Sequence, residues 1–499
     1  MTEQGNRPDD AIRVPGTDRV FNRQLMLVPL LAILAMTMMA ISSINVALPS
    51  IELSIGASEA DLQWLLSGYA LAFGIVLVAS GRLGDVFGRS TYFVIGVALF
   101  TLGSLGCSLA HTPALLNGMR LLQGVGAGVS SPQVNGMILQ YFSGRRRARA
   151  FALFGVVVSA SVAIAPSITG LLIDWLGPDW GWRASFLWNV PIGLITVGLA
   201  ARWLPFGAER GRRAARQRGE QVRTHIDLDP VGMIGLSLVV LCVLLPFMLK
   251  RPAGFGLLAV GAVLLVGWVY WERGYKNAGH EPMVDLYLFG YRSFTNGILV
   301  SGTQFLGGTS IFAVLALFLQ SGLGAPALIV GLIGLPNAVA SAFSSMWAGE
   351  HVLDSGRRNI VLAFVVYLVG IIGAIVLAQF ISADGGPIHY AWLAVPLILT
   401  GYGVGVINSS NQTLSQQHIP PAVGGTAGAV KQVAERIGTA IGNAMITAVL
   451  FSLATTDWVL GFTAAYGVIA LILSVALIFA IIDLRMLGDG GTPLPRSTV

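Results

Sequence analysis

GRLGDVFGR (residues 81–89) lies between two long apolar runs, and a related stretch, GEHVLDSGR (residues 349–357), lies between two more. Gly81 and Gly349, Gly88 and Gly356, and Arg89 and Arg357 occupy matching offsets, while the acid moves by one place, from Asp85 to Asp354. Each follows an apolar run, residues 62–80 and 326–348, so the two stretches mark one internal repeat spread over most of the 499 residues. The glycines allow a tight reversal between helices, and the loop offers one carboxylate, Asp85, with Arg82 and Arg89 expected as cationic heads anchored at the cytoplasmic surface.

The runs around these loops are long enough to cross a bilayer, which takes about 20 mainly apolar residues. The windows are 25–48, 62–80, 91–110, 114–139, 149–173, 184–204, 230–249, 253–271, 294–320, 326–348, 359–381, 389–412, 424–453 and 459–482. Charged residues are only 11% of the chain, against about 25% for a soluble domain, so the bilayer is its solvent. The expected fold is an all-α polytopic membrane protein with 14 transmembrane helices. Aligning the repeat pairs spans 1–6 with spans 9–14, leaving spans 7 and 8 as an insert. The expected organisation is an N-terminal tail (1–24), a six-helix bundle (25–204), an Arg-rich linker (205–229) and a two-helix insert (230–271). A loop (272–293), a second six-helix bundle (294–482) and a C-terminal tail (483–499) follow. Of the 30 Lys and Arg, 23 fall in the tails and alternate connections, which by the positive-inside rule makes both termini cytoplasmic. Parallel repeats of six spans imply a secondary transporter whose substrate lies between the halves near mid-membrane.

Other classes are excluded by what is missing. No Lys follows a Gly, so no GxxxxGK[ST] phosphate loop exists, and the six His show no ligand spacing. Cys107 and Cys242 lie in apolar runs and read as core residues. Neither an enzyme nor a cofactor is expected. The apolar run after Arg23 is too long for a signal-peptide core, so the N-terminus is expected to stay on the mature chain. Arg210, Arg212, Arg213, Arg216, Arg218 and Arg223 in the linker are expected to meet anionic lipid headgroups rather than nucleic acid. Twenty-seven Arg against three Lys fit a GC-rich genome and thus a bacterial cytoplasmic membrane. Nothing in the sequence sets an oligomeric state.

The chain resembles the fourteen-helix drug:proton antiporter branch of the major facilitator superfamily from about residue 40 to 480. The resemblance rests on NVALP (45–49), GRLGDVFGR (81–89), RLLQG (120–124), APSITG (165–170) and WRASFLWNVPIG (182–193), in that order and placement. The resemblance alone implies the energy source, a proton gradient. It implies a major facilitator fold in which Asp85 acts as a gate latch, docking near the N-terminus of the thirteenth span, with Gly81, Arg82, Gly88 and Arg89 completing the loop. It also implies an antiporter motif on the fifth span, where Gly155, Ser159, Ala163 and Ser167 form a ridge of small residues and Pro166 and Gly170 follow. Two departures from that motif are Ala165 and Thr169, each where a Gly is usual. A third is Ala40, where an Asp of the proton-coupling apparatus is usual.

Arg120 lies about two turns inside the fourth span, where a cation costs about 2.5–3.5 kcal/mol unless it faces protein or water. With Gln123 it is read as polarising a substrate carbonyl, bonding carbonyls of the first span, biasing a nearby acid or simply capping backbone. Glu435 is the remaining acid well inside a window, with Lys431 four residues before it and Arg436 after it. It stands either as a proton site or as a structural ion pair. Asn45, Tyr69, Phe73, Gln133, Asn135, Gln304, Phe305, Asn337, Tyr402, Asn408, Asn411 and Gln412 suggest a broad apolar cavity with dispersed hydrogen bonders, suited to a small amphipathic substrate. The leading expectation is an efflux carrier for hydrophobic or amphipathic compounds, drugs or lipid-like metabolites, with proton coupling. An uncoupled facilitator or lipid carrier, and a non-transporting membrane receptor or scaffold, are the alternatives.

Overall fold

A computed structural model describes residues 11–13, 20–206, 227–249, 252–381 and 386–489. Most of the Arg-rich linker and the ends of both tails lie outside the described residues. The chain is helical apart from one addition to the expected all-α fold: Ala11–Arg13 (β1) pairs antiparallel with Val20–Asn22 (β2), Ile12 opposite Phe21. Asn22 then caps the first helix, its side-chain oxygen accepting the Gln24 and Leu25 N–H groups.

Six helices make the first half: α1 (Arg23–Ile55), α2 (Glu59–Phe87), α3 (Arg89–Ser108), α4 (Pro113–Tyr141), α5 (Gly144–Leu187) and α6 (Asn189–Trp203). Helices α7 (Pro230–Leu249) and α8 (Gly256–Asn277) form the inserted pair. The second half holds α9 (Arg292–Gly308), α10 (Ser310–Leu317), α11 (Ala327–Ala378), α12 (Gly386–Ala391), α13 (Ala394–Ser415), α14 (Gly424–Ala454) and α15 (Trp458–Leu487).

Among the described residues, eleven helical stretches are long and apolar enough to cross a bilayer. Two of these, 60 and 50 residues long, would each reach well beyond the ~30 Å hydrocarbon core as straight rods. The first is broken at Gly177 in α5 (φ 80°) and again at Trp188 where α6 takes over, and the second at Ser355 in α11 (φ −144°, ψ 24°), so each supplies two crossings. The break in α11 falls inside the repeated GEHVLDSGR stretch. Helix α4 is absent from the eleven because it is polar within: Arg120, Gln123, Ser130, Gln133 and Asn135 are all buried. It pays for that polarity by packing between α2 and α3, where glycine lets backbones touch; a methyl at Gly126 would lie 2.3 Å from the Phe100 nitrogen.

Two large apolar clusters are centred one in each half, the first reaching across to Phe294, Ala427 and Val433 of the second half. Leu77, Phe93, Phe100 and Met137 belong to the first, and Phe318, Phe364, Tyr466 and Leu473 to the second. The insert packs on the first half, where Leu244 and Val240 of α7 close on Gly74 of α2. Ser237 of α7 donates to the Ile75 carbonyl.

Candidate functional site

The loop between α2 and α3 closes the two halves on the face that carries both chain ends. Asp85 lies at the start of α14, where its carboxylate accepts the Gly425 N–H (3.1 Å), the Thr426 N–H (2.8 Å) and the Thr426 hydroxyl (2.9 Å). These N–H groups are orphan donors of a helix N-terminus, a natural carboxylate partner. Arg89 fixes the same carboxylate from the other side at 2.6 Å and reaches across to the Pro421 carbonyl at 2.5 Å. The approach requires glycine. A methyl on Gly425 would lie 2.6 Å from Asp85 Oδ1, one on Gly81 would lie 2.9 Å from the Gly425 carbonyl oxygen, and Gly88 turns at φ 118°. Arg82 and Arg89, expected as cationic heads at the surface, are both buried. Arg82 turns away from the latch and donates to the Asp227 carbonyl and Glu281, tying the loop to the insert.

Deeper in, cations and rings alternate from one half to the other. Arg120 of α4 donates to the Leu65 and Ala40 carbonyls and to Gln123, with its guanidinium 4.5 Å from the centre of the Tyr69 ring. Tyr69 stacks on Phe73 at 6.4 Å, and Arg436 of α14 lies over Phe73 at 4.7 Å. Lys431 is engaged elsewhere, on Gln412 and Ser415. Among the described residues no ion pair joins Glu435 to Lys431 or Arg436; Glu435 faces Ser301 of α9.

Every hydrogen bond between the halves, among the described residues, lies between the terminal face and mid-depth. Beyond the latch these are Ser131 to Gln432, Gln412 to Asn135, and Ser159 with Ser341. The arrangement is that of a carrier shut on the terminal face. Residues 30–443 match the profile described as Major Facilitator Superfamily. The chain belongs to that superfamily. It is 31% identical over 417 residues to a probable actinorhodin transporter of Streptomyces coelicolor, covering 82% of this chain and 69% of the relative. It is 29% identical to the multidrug resistance protein Stp of Mycobacterium tuberculosis, covering 82% and 72%. The fold is shared with the proton:xylose symporter XylE (TM-score 0.62, 16% identity, 93% and 96% covered). The protein is therefore a multi-pass membrane transporter of the major facilitator fold, and not an enzyme.

Within this facilitator the fifth-span ridge divides. Gly155 and Ser159 meet Ser345 and Ser341 of α11 in the other half, whereas Gly170 faces Val46 of α1, and Ala163 and Pro166 are half-buried. Several residues expected to line the cavity instead bind helices together. Gln133 donates to the Ser80 and Val129 carbonyls beside Gly84, Asn337 to Leu397 and Thr400, and Asn411 to the Gly297 carbonyl. Asn135 and Gln412 bond to each other across the halves. Asn45 is exposed, Phe305, Tyr402 and Asn408 are half-buried, and the buried Gln304 carbonyl oxygen has no partner among the described residues.

The insert's polar mouth has no counterpart in the sequence reading. Asp227 gathers Tyr275, His280 and the Glu281 N–H. Burial pushes the Asp227 carboxyl up, but these hydrogen bonds outweigh it and hold the group below the usual carboxylate range. Buried Asp229 accepts from Gly232, Trp271 and Met283. The available signal was the run of acids at 227, 229, 272, 281 and 285, grouped around one insert and able to answer a gate-loop arginine.

Proposed function

We propose that this facilitator exports hydrophobic or amphipathic compounds across a bacterial cytoplasmic membrane by alternating access, with both termini cytoplasmic and the proton gradient as its energy source. The observation that carries the reading is the closure of the terminal face by Asp85 on the start of α14, with no hydrogen bond between the halves on the opposite side among the described residues. Relatives named for actinorhodin transport, multidrug resistance and puromycin resistance support export of drug-like molecules. Coupling is assigned to Glu435, an embedded carboxylate with no ion-pair partner among the described residues, on a helix that the latch engages.

One observation favours an uncoupled facilitator as the second reading: Arg120 meets the Ala40 carbonyl where relatives of this branch place an acid. Dye uptake by inverted vesicles, with and without a proton gradient, decides between them. The export reading expects gradient-driven accumulation that Glu435→Gln converts to passive equilibration. Equilibration in the parent protein would establish the facilitator, and accumulation that stays gradient-driven in Glu435→Gln would remove the role given to Glu435.

A further inference from the structure

The interior between the halves carries a surplus of positive charge. Arg120, Lys431 and Arg436 stand there against one carboxylate, Glu435, while Asp85 at the terminal face is already matched by Arg89. A cation at this depth needs a partner, and the three differ in how far that need is met. Arg120 is buried with two backbone carbonyls, Gln123 and two ring faces around it. Lys431 is buried on Gln412 and Ser415. Arg436 is half-buried and has the Phe73 ring beneath it, with no hydrogen bond or ion pair among the described residues. Its neighbour Glu435 acts on it through the field but makes no ion pair with it among the described residues, because successive positions on a helix point about 100° apart and Glu435 faces Ser301.

A second group beside it is also unmet. The Tyr69 hydroxyl is buried without a partner, in a side chain only 2% exposed, and Tyr69 sits in the electrostatic reach of both Arg120 and Arg436. A guanidinium lying on a ring keeps its N–H edge outward, a fork that takes two oxygens of one acid group. The phenol offers a further donor. The Tyr69–Phe73 pair alongside, with interplanar angle 26° and each side chain only 2% exposed while the terminal face is closed, is an aromatic wall that a ligand would meet as the halves part. The Arg436 guanidinium can only donate, and the Tyr69 hydroxyl can donate beside it.

We propose that Arg436, Tyr69 and Phe73 form a subsite for planar aromatic anions, in which a carboxylate or phenolate oxygen pair is held by the Arg436 fork and the Tyr69 hydroxyl while the ring system lies along Phe73. The proposal rests on the export reading and names its substrate class. It separates this carrier from one built for lipophilic cations, which would meet three positive charges and a single acid.

The experiment uses two dyes on one xanthene scaffold, with the full-length protein in nanodiscs. Fluorescein is an anion at mildly alkaline pH and rhodamine 6G is a cation, and binding is followed by fluorescence anisotropy. The parent protein is expected to bind fluorescein at least about tenfold more tightly than rhodamine 6G, the discrimination that a hydrogen bond to a charged group supplies. Arg436→Gln should remove that preference, Arg436→Lys should restore part of it, and Glu435→Gln should strengthen fluorescein binding by removing the one opposing charge. Equal or tighter binding of rhodamine 6G by the parent overturns the proposal, and this comparison needs no variant to fold. So does a well-folded Arg436→Gln protein with unchanged fluorescein affinity. Charge-selective binding with no accumulation of either dye in vesicles would remove the export reading and leave the subsite. Accumulation of rhodamine 6G, undiminished in Arg436→Gln, would do the reverse.

Discussion

The two copies of the repeated loop have diverged into different tasks. In residues 81–89 the acid faces the opposite half, on the first N–H groups of α14, and its glycines let the chains touch. In residues 349–357 the equivalent arginine, Arg357, turns inward and pairs with Asp483 of its own half at 2.8 Å while donating to the Gly488 carbonyl. Its acid, displaced by one residue, is Asp354, which is 64% exposed and lies 3.6 Å from Arg145 of α5 in the opposite half, itself 76% exposed. One step along a helix turns a side chain by about 100°, so a shift of one residue changes a docked carboxylate into a surface charge. Hydrogen-bonded closure of the terminal face is thus one-sided: the first half supplies the docked carboxylate and the second the helix start that receives it. Among the described residues, the second loop meets the first half only through Gly349 packed on Ala148 and Ala152 of α5 and through the exposed Asp354–Arg145 pair.

Exchanging the two acids for amides breaks or sharpens this comparison most strongly. Asp85→Asn keeps the loop's glycines but loses a charge-assisted bond to two N–H groups and Arg89, and should slow transport in reconstituted vesicles by at least about tenfold at normal expression. Asp354→Asn removes an exposed pair and should leave the rate within measurement error. A slow Asp354→Asn protein would make the latch two-sided.

The arginines should show the opposite split, in stability rather than rate. Arg357 is 1% exposed, and Arg357→Ala leaves Asp483 with only Asn296 beside it. Breaking a buried pair of this kind costs about 3–5 kcal/mol, which a thermal melt in detergent would register as a large drop in Tm. An unchanged melt would mean that the second loop has no structural task.

The smallest effect concerns the Asp227 carboxyl, which gathers Tyr275, His280 and the Glu281 N–H at the mouth of the insert. The Asp227 carboxyl is held below its usual range, so its contribution is complete above the unfolded value of about 3.9 and fades as pH falls through the lower folded value. Docking of the insert mouth, read from hydrogen exchange over residues 275–285, should therefore persist at pH 5 and loosen only below about pH 4. Loosening already above about pH 5 would show that the Asp227 carboxyl does not hold the mouth.

Spans and family were legible in the sequence because both rest on local signals: apolar length, and motifs in a fixed order. The placement of Asp85 was legible through resemblance, since spacing alone gives a carboxylate and glycines but not their partner. The fate of the embedded polar residues was not. Gln133, Asn337 and Asn411 look the same in a sequence as cavity-lining groups, yet each found a carbonyl on a neighbouring helix, as a buried amide must. Arg82 was read as a surface anchor because its partners, Asp227 and Glu281, come from the insert about 145 and 199 residues onward, a separation that no periodicity reports.

The most direct test of one-sided closure is a spin-label distance across the terminal face, with labels at exposed Ser143 of the first half and Ala422 of the second. The two native cysteines, Cys107 and Cys242, are buried, so introduced ones can be labelled selectively. The parent protein and Asp354→Asn should share one short distance distribution, and Asp85→Asn should move most of the population to longer distances. An unshifted Asp85→Asn distribution, or an equal shift in Asp354→Asn, would contradict the account.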